Sequence, residues 1–396
     1  MKKKIKVLFL VSNYPSKKFP DKGIFFKRMV KGLANIGVEV CVIAPVPYSN
    51  WLIELFINKL KGYTQIPQFA LDGDVKIYRP KYLRLPFIHK LYLSHFFQLY
   101  LIRKILNKEN PDIIDFRTSY PPYPLSSVVL KIYTEFKIPY IYTINGIHLL
   151  PEDETNTIKR KNFIKLIDNA SKVLSVSVQL SNSIQILSKK NVELTIHPIN
   201  FKELDDSNSE TNSEISIKFL NDSNVFCYLF VGELTYEKGV DTLLETFLNL
   251  NLPNIKLLLV GNGKLFKSVS SSNIEFLGKL PNNEVIQLMR KVNYFIFPTR
   301  YEGMPNVLKE AGALGLPIIA SKAGGIPELL NMGERGYLLD DVSYSAIKES
   351  IIYTMNSLDI MRDKSDKLKR YLKENYDVDR TSAVLKQMYL EIINSN

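Results

Sequence analysis

The first apolar run of the chain, residues 5–11 (IKVLFLV), is broken only at Lys6, which is the pattern of a strand buried on both faces. A loop with Pro15, Pro20 and Gly23 follows. Helical spacing then runs through IFFKRMVKGLANIG, with Gly37 as its stop, and a second apolar run, VEVCVIAP, comes next. This is a βαβ opening. Residues 225–231 (VFCYLFV) begin the same arrangement again, with a Gly232–Gly239 loop, the helical stretch VDTLLETFLNLNL and the run IKLLLVG. Continuous apolar strands alternating with amphipathic helices predict parallel sheets covered on both faces. Two such openings half a chain apart predict two similar doubly wound α/β domains. Residues 202–216 (KELDDSNSETNSEIS) are acidic and serine-rich and read as a linker or exposed loop. The first domain is therefore placed at about 1–200 and the second at about 217–375. A last helix over about 380–394 can pack on either, including back on the first.

Residues 83–108 (LRLPFIHKLYLSHFFQLYLIRKILNK) are rich in leucine and aromatics but carry His89, Lys90, His95, Gln98, Arg103 and Lys104. A membrane span needs roughly 20 mostly apolar residues, so this stretch does not qualify. An amphipathic helix fits. It either covers the first sheet or lies partly in a membrane interface, with Trp51 of the preceding WLIELFINKLK beside it.

Composition adds little until charge is divided by position. The 396 residues, 45% hydrophobic and 23% charged, suit two globular domains. Residues 1–200 hold 30 Lys and Arg against 14 Asp and Glu, a net +16; residues 201–396 hold 22 against 26, a net −4. A basic first half suits an anionic membrane surface, or is simply a solvated face. No helix-turn-helix, zinc-finger or RNA-binding signature accompanies it, so nucleic acid is not the expected partner. Cys41 and Cys227 stand far apart in strand-like runs and build neither a disulfide framework nor a zinc site. A reducing, cytoplasmic location follows, with the inner membrane face as a possible seat. The start, MKKKIKVLFLVSNYP, has lysines before an apolar run but no small-residue cleavage site, and reads as a first strand.

Residues 293–310 (NYFIFPTRYEGMPNVLKE) carry the chemistry. A short strand ends at Pro298, a loop with Gly303 and Pro305 follows, and a helix begins near Asn306. Glu302 then sits at the strand's carboxyl end and Glu310 one turn into the helix, where open α/β sheets bind ligands. Free amides at the helix start favour a phosphate. Carboxylates there make sense against neutral hydroxyls, and a sugar nucleotide offers both kinds of group. On spacing alone, a turn-capping Glu302 and a solvated Glu310 are equally good readings.

The segment PTRYEGMPNVLKEAGALGLPIIASKAGGIPELL, with two glutamates seven residues apart, resembles the signature of the retaining family-4 glycosyltransferases. VGELTYEKGVDTLLETF, VGNGKL, IEFLGKLPNNEV, LSVSVQLSNSI with IHPIN, and SNYPSKKFPDKGIFFKRMVKGLANIGVEVCVIAP resemble further segments of that family, in order, over about residues 5–340. The resemblance implies the GT-B fold, two Rossmann-like domains facing a cleft, and transfer from a nucleotide-sugar donor with retention. It implies that Glu310 binds the ribose, Glu302 a hydroxyl of the donor sugar, and that Lys238 neutralises the diphosphate. Gly23 would admit the phosphate from the first domain. Gly232, Gly261, Gly303, Met304, Pro305, Asn306 and Val307 would line the donor site. Arg300 either joins the phosphate clamp or is an ion-pair partner, and Gly324–Gly325 is either a close-approach turn or a structural one.

Two positions depart from the family pattern. Glu233 stands where an arginine is usual after VG, which removes a cation from the clamp. Asn145-Gly146 stands where a His-Gly pair is usual; Asn145 can bind a hydroxyl but cannot exchange a proton. His148, three residues on, either takes a site role or a local structural one. Asp72-Gly73-Asp74 has the letters of a metal-binding Asp-x-Asp pair but reads as a turn, so no metal and no further cofactor is expected. The expected partners are the donor and a saccharide or lipid-linked saccharide acceptor in surface polysaccharide synthesis. A sugar-nucleotide epimerase of related fold and a catalytically silent subunit are the alternatives.

Overall fold

The computed structural model describes residues 4–57, 60–82, 93–118, 125–146, 158–206, 220, 222, 224–250, 252 and 254–395. The chain forms two compact units, Met1–Pro198 with Val378–Asn396, and Ile199–Asp377.

The first unit holds β1 (Lys6–Val11), β2 (Glu39–Ile43), β3 (Val46–Pro47), β4 (Phe69–Asp72), β5 (Val75–Tyr78), β6 (Lys81–Tyr82), β7 (Ile113–Thr118), β8 (Tyr140–Ile144), β9 (Lys172–Ser175) and β10 (Val192–Leu194). Eight strands form a sheet in the order β10-β9-β8-β7-β1-β2-β5-β4, while β3 pairs with β6 separately. All neighbours in the large sheet are parallel except β4 and β5, an edge hairpin. Asp72 pairs with Val75 there, so Asp72-Gly73-Asp74 is the hairpin turn, and Asp72 is held by Lys27 at 3.0 Å and Lys31 at 3.4 Å.

The β7 and β8 strands are buried at every position, yet β7 carries two charges. Asp115 and Arg117 lie two residues apart and so share a face of the strand. Both are fully buried, joined by two 2.8 Å hydrogen bonds from the Arg117 Nε and Nη2 to the two Asp115 oxygens. The Tyr389 hydroxyl donates to the same carboxylate from the helix Val378–Ser395. Burial and the neighbouring Asp115 carboxylate push that hydroxyl well above its ordinary range. This helix crosses the helix Ile24–Asn35 closely: a Cβ at Gly32 would stand 2.3 Å from Ser382 Oγ, and Lys386 Nζ donates to the Ile36 carbonyl at 2.7 Å.

The helix Leu93–Glu109 buries Leu99, Ile102 and Leu106 in the first unit, with Phe96 and Tyr100 outside. Residues 83–92, the first part of the stretch read as amphipathic, lie outside the described residues. Among the described residues no helix is long and apolar enough to cross a membrane.

The second unit holds β11 (Phe226–Val231), β12 (Ile255–Val260), β13 (Ile274–Gly278), β14 (Tyr294–Phe297), β15 (Ile318–Ser321) and β16 (Tyr337–Leu339). They form one parallel sheet in the order β13-β12-β11-β14-β15-β16. The unit begins earlier than the acidic stretch implied. Residues Phe201–Asp206 are helical, Leu204 is buried, and Arg290 Nη2 caps the Leu204 carbonyl at 2.7 Å. Ile199 bridges Asp377, so the chain enters and leaves this unit side by side. Residues 202–206 are thus not linker, because one apolar side chain and one guanidinium tie them down.

Candidate functional site

Strand order reverses where β14 is added beside β11, and at such a point the loops at the two carboxyl ends splay apart to leave a crevice. Gly232–Gly239 follows β11 and Pro298–Pro305 follows β14. These two loops are laced together. The backbone N–H of Arg300 donates to the Glu237 carbonyl at 2.9 Å, and the fully buried Thr299 hydroxyl bonds the Glu237 and Tyr301 carbonyls at 3.3 and 3.1 Å. Ser321 in turn donates to the Thr299 carbonyl.

Within this lacing the Lys238 ammonium touches the Glu302 carboxylate directly, the two side chains being 22% and 14% exposed. The ammonium also lies 6.0 Å from the Phe297 ring centre. Gly239, next to Lys238, starts the helix Val240–Asn249 at φ 69°, and no side chain caps that start. The helix Asn306–Leu314 begins after Pro305, again without a side-chain cap, so no side chain takes up the amides at either helix start. Glu310 is on this second helix and is 7% exposed. Gly303 and Met304 are buried, while Asn306 and Val307 are half-buried. Gly325 N donates to the Gly303 carbonyl at 2.6 Å, and a Cβ at Gly324 would fall 2.1 Å from the Glu302 carbonyl. The Gly324–Gly325 turn therefore props the Glu302 loop from behind. A Cβ at Gly261 would sit 1.8 Å from the Gly232 carbonyl, so these two glycines meet each other.

Arg300 is engaged elsewhere. Its guanidinium holds Asp241 at 2.7 and 3.0 Å and Thr242 at 2.9 Å, and stacks 3.9 Å over the Tyr236 ring. Of its two readings, the ion pair is the one present; it fixes the loop before Lys238 to the helix after it. Glu233 is exposed.

In the first unit, Gly23 begins the helix Ile24–Asn35 at φ 76°, where a Cβ would stand 2.6 Å from the Asn13 carbonyl. The chain's own backbone thus demands glycine there. Asn145 follows β8 at the carboxyl edge of the sheet, and its Oδ1 lies 3.0 Å from His197 Nε2. His197 is buried and stacks on Phe25, ring centres 4.5 Å apart. His148 lies outside the described residues. His197 was not singled out from sequence: IHPIN drew notice as a segment, but a lone histidine carries no spacing signal. Asp241 and Thr299 are equally silent in sequence, since their roles come only from the folded loops.

A cavity of about 150 Å³ opens at the carboxyl ends of β1 and β2, with Asn13, Ser16, Lys22, Tyr63 and Arg79 among its walls. Arg79 Nη2 donates to the Pro15 carbonyl at 2.6 Å and steadies its rim. Among the described residues no group of three or more His, Cys, Asp or Glu is placed to hold a metal ion.

Residues 212–375 match the family Glycosyl transferases group 1. Over 397 residues the chain is 25% identical to TuaC of Bacillus subtilis (strain 168), a glycosyltransferase named for teichuronic acid biosynthesis, covering 99% of this chain and 100% of that one. Among solved structures it resembles sucrose-phosphate synthase from Thermosynechococcus elongatus (TM-score 0.77, 16% identity, 99% and 100% of the two chains). It also resembles Anabaena Alr3699/HepE in complex with UDP-glucose (TM-score 0.69, 16% identity, 99% and 100%). The fold is GT-B, with two Rossmann-like units.

Proposed function

We propose that this chain, whose residues 212–375 are a glycosyl transferases group 1 domain, moves a sugar from a nucleotide-sugar donor to a saccharide acceptor with retention of anomeric configuration. The acceptor belongs to surface polysaccharide synthesis, a reading supported by the likeness to TuaC along the whole chain, and we take it to be carried on a lipid because the first half of the chain is basic. One observation carries the proposal: Lys238 and Glu302 meet at the switch point of the second sheet, between two uncapped helix starts.

The bond from the anomeric carbon to the diphosphate breaks with its electron pair going to the phosphate oxygen. The acceptor hydroxyl forms the new bond to that carbon on the side from which the diphosphate departs, and passes its proton to the departing phosphate oxygen. Negative charge therefore grows on the leaving group, and groups fixed in advance around it stabilise the transition state more than the ground state. An ammonium has three donors; Glu302 accepts one and so aims Lys238, and others serve the phosphate oxygens. Once Lys238 turns to phosphate, the Glu302 carboxylate binds a sugar hydroxyl, while Glu310 binds the ribose. Asn145 contributes a side-chain amide that can bind a sugar hydroxyl. The 150 Å³ cavity, with Lys22 and Arg79 in its walls, receives the acceptor saccharide. The reaction needs no metal in this scheme, since Lys238 and the helix amides supply the positive field.

The test is turnover of UDP-, GDP- and ADP-sugars with lipid-linked and free saccharides, the product anomer being read by NMR. Lys238→Ala and Glu310→Ala should each lower turnover about 10²-fold or more with unchanged melting temperature. Near-normal turnover in both variants would remove the donor site from this place. An epimerase would convert the donor sugar without any acceptor, and a silent subunit would release no nucleotide.

A further inference from the structure

The helix Trp51–Phe56 (WLIELF) buries none of its residues. Trp51, Leu52, Leu55 and Phe56 are 68%, 48%, 68% and 84% exposed, and Tyr48 just before them is 43% exposed. At 100° per residue these four helical positions share one face, and Ile53 and Glu54 take the other. The helix is amphipathic but turned outward, with its polar side toward the protein. Glu54 is what holds it so. Its carboxylate accepts from Gly62 N at 2.9 Å and Thr64 N at 2.7 Å, and the Thr64 hydroxyl donates to it as well. Those bonds, the Thr64 hydroxyl first, hold the Glu54 carboxyl down at about 2, so the anchor stays ionised. Asn50 caps the helix start through its Oδ1, 2.9 Å from Ile53 N.

Lysines surround the anchoring loop. Lys18 packs against Gly62, Lys61 is its neighbour, and Lys22 Nζ lies 3.2 Å from the Tyr63 hydroxyl; all three are exposed. An outward apolar face of this size on a soluble surface marks an interaction site. Two features choose the occupant. Tryptophan and phenylalanine beside leucine, with a collar of lysines, match the interface of an anionic bilayer, where rings sit among headgroups and ammonium groups meet lipid phosphates. A second copy of the chain would instead bring two lysine collars together, in the half of the chain with a net charge of +16.

We propose that the Trp51–Phe56 helix is a wedge that seats the first unit on an anionic membrane. It rests on the reading of a lipid-borne acceptor only for its purpose. Tyr63 and Lys22 of the anchoring region also wall the 150 Å³ cavity at the ends of β1 and β2, so a saccharide there has its lipid carrier one loop away. The wedge is also separate along the chain from the helix Leu93–Glu109, which buries Leu99, Ile102 and Leu106 in the first unit.

Trp51 is the single tryptophan, so its fluorescence reports this helix alone. With phosphatidylglycerol vesicles the full chain should show a blue-shifted emission, quenched when the acyl chains are brominated. Binding to phosphatidylcholine vesicles at low salt should be at least about tenfold weaker. The double variant Leu55→Ser, Phe56→Ser should lose at least about tenfold in vesicle partitioning while keeping its melting temperature. Lys18→Glu with Lys61→Glu should weaken binding severalfold at low salt and much less at high salt. Sedimentation with vesicles but no shift of Trp51, or undiminished in the serine variant, would place the contact elsewhere. A concentration-dependent shift without lipid, accompanied by a dimer in ultracentrifugation, would assign the face to a second copy. No binding to either vesicle would end the proposal. Vesicle binding with no nucleotide-sugar turnover would sink the transferase reading alone, and the reverse result would sink the wedge alone.

Discussion

Gly239 offers the sharpest test of how the donor loops are held. Its φ is 69°, and a Cβ there would lie 1.9 Å from the Pro298 carbonyl oxygen, backbone that cannot swing away like a side chain. Gly315, in the same unit, has φ 81°, but its Cβ would meet the Lys369 side chain, Cδ at 3.5 Å and Nζ at 3.9 Å, which are ordinary contacts. Both glycine-to-alanine changes restrict the unfolded chain alike and bear a left-handed backbone cost of about 1–2 kcal/mol. Gly239→Ala must also force Pro298 back by more than 1 Å to restore a normal contact of 3.0 Å or above, adding about 1–3 kcal/mol of overpacking. The expected losses are thus about 1–2 kcal/mol for Gly315→Ala and about 2–5 kcal/mol for Gly239→Ala. Hydrogen exchange of the β11 and β14 amides across a urea series measures both in the second unit alone. Since Pro298 leads into the Glu302 loop, the displacement should also spoil the Lys238–Glu302 alignment. A shift of this size costs turnover about 10²-fold, whereas Gly315→Ala should leave turnover near normal. Equal stability losses in the two variants would refute the close approach of the two loops.

The first unit yields two further predictions. Asp115→Ala strands the fully buried Arg117 guanidinium without its anion and should cost about 3–5 kcal/mol, against about 1–3 kcal/mol for Tyr389→Phe, read as melting of the first unit. Glu109 is buried, which by itself raises its pKa, but bonds from Lys6 at 2.8 Å, from Tyr78 and from Lys76 at 3.0 Å hold it down at about 2. Because the folded value lies below the ordinary 4.5, its stabilisation is present in full above that value and is lost as pH falls toward 2. Glu109→Gln should therefore be less stable than wild type at pH 7, and the two should converge between about pH 5 and pH 2; a gap that stays constant with pH would show that the carboxylate is not the cause.

The strands could be read from the chain because a parallel sheet covered on both sides needs near-continuous apolar runs, and β1, β2, β11 and β12 are such runs, interrupted only at Lys6, Glu39 and Lys256. Lys238 before Gly239, and Glu302 and Glu310 around an uncapped helix start, could be read because a loop at a strand's carboxyl end and the helix after it are local in sequence. The contact between Lys238 and Glu302 could not, since 64 residues separate them and the lacing through Thr299 and Glu237 exists only after folding. Nor could the start of the second unit: acidic composition marked 202–216 as a linker or exposed loop, while Leu204 and Arg290 bind part of it to the second unit. In β7, pattern alone would turn Asp115 and Arg117 toward water; Tyr389, 274 residues away, is what makes their burial possible. For WLIELF the difference runs the other way. Its apolar letters by themselves said only that it must leave water somewhere. Glu54, drawn onto Gly62 and Thr64, decided that the protein's own core is not that place, because an ionised carboxylate bonded to backbone amides holds its side of the helix inward and leaves the opposite face out.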